Sequence, residues 1–330
     1  MRKLFSAALA ATVLSFGALA ASASPSPIYT DIANTLAYSG TANLKADADA
    51  PRAGAELAGL VVARSRGVAG LDSAINTLVT DTVTNYGFDG SNYAYSTDQV
   101  YGLALAGSSE AASYLNYYTT NGGDAANANA YAGGGGTAAT ADTAGVFAIS
   151  HLLLSANLVG TGSQITNYQA ATLAAIQNIV GGTFDTNTRA ANNDVSPIEA
   201  LAVGLYALKV SGSNAGDAYI QLVRDAITNG GTELYQQILT VNHSGQTGYS
   251  EDTAYGILAL QAYGYYADAQ GLIDGLYAAV QNVGEVPHFV GDGTNEQYAG
   301  AALQALPEPT TAAVLGLMSM ALMSRRRRQA

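Results

Sequence analysis

The 330 residues contain no cysteine and no tryptophan, and only 12% of them are charged. Without cysteine there is no disulfide framework, no zinc–thiolate centre and no thiol nucleophile. A chain of this length buries enough apolar surface to fold without cross-links. Basic residues are scarcest: 13 Lys and Arg face 25 Asp and Glu, for a net charge of −12. Six of those 13 sit at the extremes, as Arg2, Lys3, Arg325, Arg326, Arg327 and Arg328. The body between them is more acidic still, at about −17 to −18. Binding phosphates or anionic headgroups needs clustered Lys and Arg, so nucleic acid and anionic lipid surfaces are poor partners for this body. Motifs are missing too: there is no Gly-x-Ser-x-Gly, no His-Glu-x-x-His and no dinucleotide fingerprint. The glycine run 133–136 lacks the Lys-Ser or Lys-Thr of a phosphate loop and reads as a flexible link. What is plentiful is tyrosine, 21 of them. Its apolar face and hydroxyl serve both packing and polyol binding.

The two ends carry their own signals. Arg2 and Lys3 precede an apolar stretch over 4–20, then the small residues Ala21, Ser22 and Ala23. This predicts a signal peptide over 1–23, cleaved near Ser24, with the Sec machinery as export partner. At the other end, Pro307-Glu308-Pro309 precedes an apolar run over 312–323 and the four arginines 325–328. The proline pair breaks regular structure. The run falls short of the ~20 residues of a comfortable span. The arginines hold the end on the cytoplasmic side. This order resembles the PEP-CTERM sorting tail of exported Gram-negative proteins, whose naming motif Pro307, Glu308 and Pro309 match. The resemblance implies recognition by an exosortase in the inner membrane, loss of the tail, and delivery to the cell surface or an extracellular polysaccharide matrix. An ordinary C-terminal membrane anchor is the alternative. The folded domain is then 24–306 and the tail 307–330.

Between the ends, similar segments recur every 45 to 60 residues or so, the spacing of repeat architectures. Asp98 opens Asp-Gln-Val-Tyr-Gly-Leu-Ala-Leu, and Asp142 opens Asp-Thr-Ala-Gly-Val-Phe-Ala-Ile. Asp194 precedes Ser196-Pro197-Ile198-Glu199, and Asp252 opens Asp-Thr-Ala-Tyr-Gly-Ile-Leu. Weaker copies begin near Pro51 and Asn295. Each starts with a capping side chain and continues as a helix apolar all round, which implies burial on every side. An amphipathic helix follows each, as in Leu272, Ile273, Leu276 and Val280. With a further helix over 31–38, the pattern predicts an all-α fold: a closed α/α toroid of about six helical hairpins. Residues 248–260 and, less closely, Gly87-Phe88 leading to Asp98 resemble the toroid of terpenoid cyclases and prenyltransferase β subunits. The cyclases' Asp-x-Asp-Asp is absent, the nearest string being Asp47-Ala48-Asp49, and a prenyltransferase zinc site needs a cysteine. The resemblance therefore implies fold and neither activity.

Candidate chemistry is scattered. His151 lies inside an apolar helix, as a core or cavity-lining histidine. His243 and His288 lie in successive loops before buried helices; with Tyr249 they are the acid–base set an enzyme would use. The aspartates 98, 142, 194 and 252 suggest a ring of carboxylates, although helix capping accounts for each. Asp89, Asn92, Asp292 and Glu296 offer oxygen ligands without the twelve-residue calcium spacing, so turns are expected, with calcium the alternative. No other cofactor or metal is expected. The same loops hold Phe88, Tyr93, Tyr95, Phe184, Tyr249 and Phe289 among amides and carboxylates, the side chains that stack on and hydrogen-bond a sugar. The expected function is a non-catalytic surface or matrix protein with a carbohydrate-binding mouth. A secreted α/α-toroid polysaccharide lyase or glycoside hydrolase is the alternative, and a purely structural component the third reading.

Overall fold

Alanine- and leucine-rich segments with polar first turns form twelve helices among the described residues. The computed structural model describes residues 27–43, 53–85, 97–120, 143–181, 196–228, 249–283, 286–289 and 296–306. In chain order the helices are α1 (Pro27–Asn43), α2 (Ala53–Ser65), α3 (Asp72–Asn85), α4 (Thr97–Ala106), α5 (Glu110–Thr120) and α6 (Thr143–Val159). They continue as α7 (Gly162–Gly181), α8 (Pro197–Val210), α9 (Ile220–Thr228), α10 (Tyr249–Ala262), α11 (Tyr266–Ala279) and α12 (Glu296–Ala305). The described chain is overwhelmingly helical, as the sequence predicts. Strands β1 (Val280–Val283) and β2 (Val286–Phe289) form one antiparallel hairpin, with Gln281 opposite His288. The sequence reading placed 286–289 in a loop; valines 280, 283 and 286 favour extended backbone there, and Pro287 is tolerated in a strand with a free edge.

Even- and odd-numbered helices differ in burial. In α6, Leu152, Leu153 and Leu154 are consecutive and all buried, and only the last turn of that helix, at Leu158, meets water. In α8 the run from Ile198 to Val203 is buried likewise. Each such leucine contributes about 1.5–3 kcal/mol. The odd helices bury one stripe: Gln164, Tyr168, Thr172 and Ile176 in α7, and Ala269, Leu272, Ile273 and Leu276 in α11. In α9, Ile220 and Val223 are buried while Leu222 is 37% exposed, off the buried stripe. The buried helices pack in order: α2 on α4, α4 on α6, α6 on α8, α8 on α10, α10 on α12, and α12 on α2. Their flanking partners straddle neighbours; α3 touches α2 and α4, and α7 touches α6 and α8.

Small residues allow the last of these contacts. A Cβ on Gly59 would stand 2.5 Å from the Gly300 carbonyl oxygen, and one on Gly300 would collide with the Ala55 carbonyl. Both obstacles are backbone, so neither can swing aside. The connections have two characters. The turns from buried to flanking helix are short, and four share one design. After α4, Gly107 N–H donates to the Ala104 carbonyl and Ser108 N–H to that of Leu103, the two bonds of a Schellman cap. The same pair recurs at Gly67 and Val68, Gly212 and Ser213, and Gly264 and Tyr265, each glycine at positive φ. We call this the short-turn end. The longer connections, 86–96, 121–142, 182–195 and 229–248, lead into first turns of buried helices; we call that the long-segment end.

One basic residue joins the start of the domain to its finish. Arg66, just past α2, donates to the carbonyls of Leu303 (2.9 Å), Gln304 (3.0 Å) and Leu306, and to the Tyr29 hydroxyl (3.1 Å). Tyr29 itself donates to Leu303 at 2.8 Å. The carbonyls at a helix C-terminus lack intrahelical donors, and a guanidinium fork supplies several at once.

Candidate functional site

The first turns of the buried helices carry an unusual load of polar side chains. Glu56, Asp98, Glu199, Glu251 and Asp252 are all buried, as are Thr97, Ser250, Thr253 and, deeper, His151. Buried carboxylates are expensive unless hydrogen-bonded. Part of the cost is met by capping. In α8, Ser196 accepts from Glu199 N–H at 3.1 Å while Glu199 reaches back to Ser196 N–H at 3.4 Å, a complete capping box. In α4, Asp98 is the second residue, and its carboxylate accepts from its own N–H, from Gln99 and from Ala55 in α2. Gly54 has no side chain to block that bridge; a Cβ there would stand 2.5 Å from Asp98 Oδ2. Burial outweighs these bonds and raises the Asp98 pKa from 3.8 to about 7. Asp252 lies four residues into α10, so it does not cap that helix as the sequence reading had it.

One to two helical turns deeper, aromatic and imidazole groups from four helices meet. His151 Nδ1 lies 3.0 Å from the Phe147 carbonyl, which can only accept, so Nδ1 carries the proton. Nε2 is then the acceptor, and the Tyr255 hydroxyl donates to it at 3.2 Å, from α10 to α6. Burial lowers the His151 pKa to about 4. Burial, then the charges of Glu251, Glu199 and Asp98, hold the Tyr255 phenol protonated well above its ordinary range. Tyr101 of α4 and Tyr206 of α8 share a hydrogen bond across the same interior. The Phe147 ring lies 4.3 Å from that of His151, and Tyr255 meets Phe147 edge-on at 5.7 Å. The result is a layer of phenol donors, one neutral imidazole and aromatic faces beneath a tier of carboxylates. No group of three His, Asp or Glu among the described residues is placed to hold a metal ion.

Few of the residues singled out from sequence can be placed here. Phe88, Tyr93, Tyr95, Phe184 and His243 lie outside the described residues, as do Asp89, Asn92, Asp142, Asp194 and Asp292. So do the sorting motif, Pro307, Glu308 and Pro309, and the arginines 325–328. Tyr249 opens α10, and His288 and Phe289 lie in β2, described by backbone alone. His151 is buried and hydrogen-bonded, in keeping with a core or cavity-lining histidine. Tyr101 and Tyr255 were missed. Their signal was present as Asp-x-x-Tyr-Gly, at 98–102 and 252–256: three residues on a helix returns to the same face. No protein-family model matches the chain, and no curated protein or solved structure is similar to it. Among the described residues no helix is long and apolar enough to cross a membrane; the apolar run 312–323 lies outside them.

Proposed function

We propose that the chain is an exported envelope protein, passed through the Sec machinery and sorted by an exosortase to the cell surface or its polysaccharide matrix. Its body is a closed α/α toroid of six helical hairpins whose long-segment end forms a non-catalytic, carbohydrate-binding mouth. The cyclic order of contacts from α2 round to α12 and back supports the closed toroid. The observation that carries the mouth is the polar, aromatic interior of Asp98, Tyr101, His151 and Tyr255, which lies toward the end entered by the segments holding Phe88, Tyr93, Tyr95 and Phe184. Phenols and carboxylates offer donors and acceptors to sugar hydroxyls, and rings offer faces to sugar C–H groups. An acidic body suits neutral polymers and repels polyanions.

The test is direct. Mature protein from the native host is measured by intact mass and then offered the host's own exopolysaccharide. Sorting predicts a mass that lacks both 1–23 and the tail from near Pro307. Mouth binding predicts a higher melting temperature with the polymer, lost in Tyr255→Phe and Tyr101→Phe. An uncut tail removes the sorting reading; an unchanged melting temperature removes the mouth.

A second reading, a secreted polysaccharide lyase or glycoside hydrolase, is favoured by one observation. A buried acid with a pKa of about 7 beside a tyrosine–histidine pair is the kind of perturbed group that active sites collect. Release of reducing ends or of unsaturated sugars from neutral polysaccharide, abolished by Asp98→Asn, distinguishes this reading from simple binding.

A further inference from the structure

The chain leaves the domain at a fixed place. Leu306 is buried, its N–H bonds the Ala302 carbonyl, and its own carbonyl accepts from Arg66. Arg66 lies in the first short turn, so this exit belongs to the short-turn end. Only residues 307–311 separate it from the apolar run that starts at Ala312. Five residues fully extended reach about 17 Å. The 17 residues of α6 and the 20 of α7 make the body roughly 25–30 Å tall. A tether of that reach, starting at the short-turn end, cannot bring the opposite end to the bilayer.

The charges agree with this direction. The basic residues with described side chains are Arg64, Arg66, Lys209 and Arg224. Arg64 and Lys209 lie in last turns at the short-turn end and pair with Asp72 and Asp217. Arg224 pairs with Asp268, in the first turn of α11 at that same end. With Arg66 offset by Glu110, which opens α5 at the same end, these pairs leave the described charges of the short-turn end close to neutral. At the long-segment end the ionisable groups buried in first turns are the carboxylates Glu56, Asp98, Glu199, Glu251 and Asp252. A negative lipid surface repels that end most, and the force falls off within a Debye length.

We propose that, while the tail holds the chain in the bilayer, the short-turn end lies against the lipid surface and the long-segment end points away from it. The inference rests on the membrane-held tail of the proposed function. It means that the mouth is open to the outside before the tail is removed, and that the cut is made on the far side of the domain from it.

The absence of cysteine gives each introduced thiol a unique label. Exposed sites are available at both ends: Ser73 and Ala218 at the short-turn end, Thr84 and Gln177 near the other. Residues 24–330, carrying Ser73→Cys, Ala218→Cys, Thr84→Cys or Gln177→Cys with a fluorophore, are reconstituted into phosphatidylcholine vesicles with one part in five phosphatidylglycerol, roughly a bacterial anionic surface. Headgroup-borne quencher is then added. The expected result is quenching several-fold stronger at 73 and 218 than at 84 and 177. Equal or reversed quenching on protein that floats with the vesicles overturns the orientation and leaves the membrane tail standing. Protein that does not float overturns the tail reading and the orientation with it.

Discussion

The two ends of the helix pairs solve the same problem by different chemistry. At the short-turn end the last carbonyls of buried helices are satisfied locally, by a glycine at positive φ and the residue after it. Two buried helices lack that cap: α6, where Gly160 N–H simply continues the helical pattern to the Ala156 carbonyl, and α12, whose carbonyls are satisfied by an arginine more than 230 positions away in sequence. At the long-segment end, first-turn N–H groups of α4 are satisfied by the Asp98 carboxylate and those of α8 by Ser196 and Glu199, and Asp98 serves two helices at once. Local caps make a rigid, nearly neutral end. Shared, desolvated carboxylates make an end whose stability depends on pH and where a ligand has polar groups to meet. The comparison suggests a division of labour: one end fixes the domain, the other is available for recognition.

Four substitutions test that contrast, beginning with the strongest. Gly300→Val drives a branched side chain into the Ala55 backbone between α12 and α2. The expected loss is about 3 kcal/mol or more in urea unfolding of residues 24–306, because neither backbone can yield. A loss below about 1 kcal/mol would mean that the two helices are not in close contact.

The next effect belongs to the long-segment end and reads out as pH dependence. Asp98 keeps its proton to about pH 7 when folded but releases it near its ordinary 3.8 when unfolded. The native state thus binds more protons, and stability falls as pH rises from 4 to 7. His151 works the other way: folded it protonates only near pH 4, so stability rises with pH up to its ordinary 6.5. In the wild type the two slopes oppose each other between pH 4 and 6.5. Asp98→Asn leaves the rising slope alone and His151→Gln the falling one, each at most about 1.4 kcal/mol per pH unit. Chemical unfolding at half-unit steps checks this; parallel profiles for the two variants would contradict it.

Arg66→Ala removes the donors to Leu303, Gln304 and Leu306, with an expected cost of about 2 kcal/mol. Arg66→Lys recovers little, since a single ammonium cannot span the fork. The smallest effect is Asp72→Asn, which breaks the exposed pair with Arg64 at 3.1 Å. It should change stability by about 0.5 kcal/mol or less, and less again in high salt.

The helices were more legible in sequence than the interior they enclose. The segments expected to open at Asp98 and Asp142 are helices from Thr97 and Thr143, and the stripe read from Leu272 to Leu276 lies in the helix Tyr266–Ala279, because all-apolar and one-sided periodicities are local signals. The first helix was glimpsed only over 31–38, yet it runs from Pro27 to Asn43. The polar interior was harder to read. Asp98 was recognised as a cap, but nothing local announces that its carboxylate reaches Ala55 in another helix. The His151–Tyr255 bond spans 104 positions, a separation over which periodicity carries no information. Arg66 was passed over for the same reason: its partners are backbone carbonyls, which every sequence has.

The central claim is that α12 returns to α2 and closes the helix pairs into a ring. A spin label on Ser65→Cys, exposed and one residue before Arg66, tests it by paramagnetic broadening of amide signals in residues 24–306. The account predicts that the amides of 301–306 are broadened as strongly as those of neighbouring α1 and α3. Sharp, unaffected signals from 301–306, with broadening confined to residues near 65 in sequence, would contradict it.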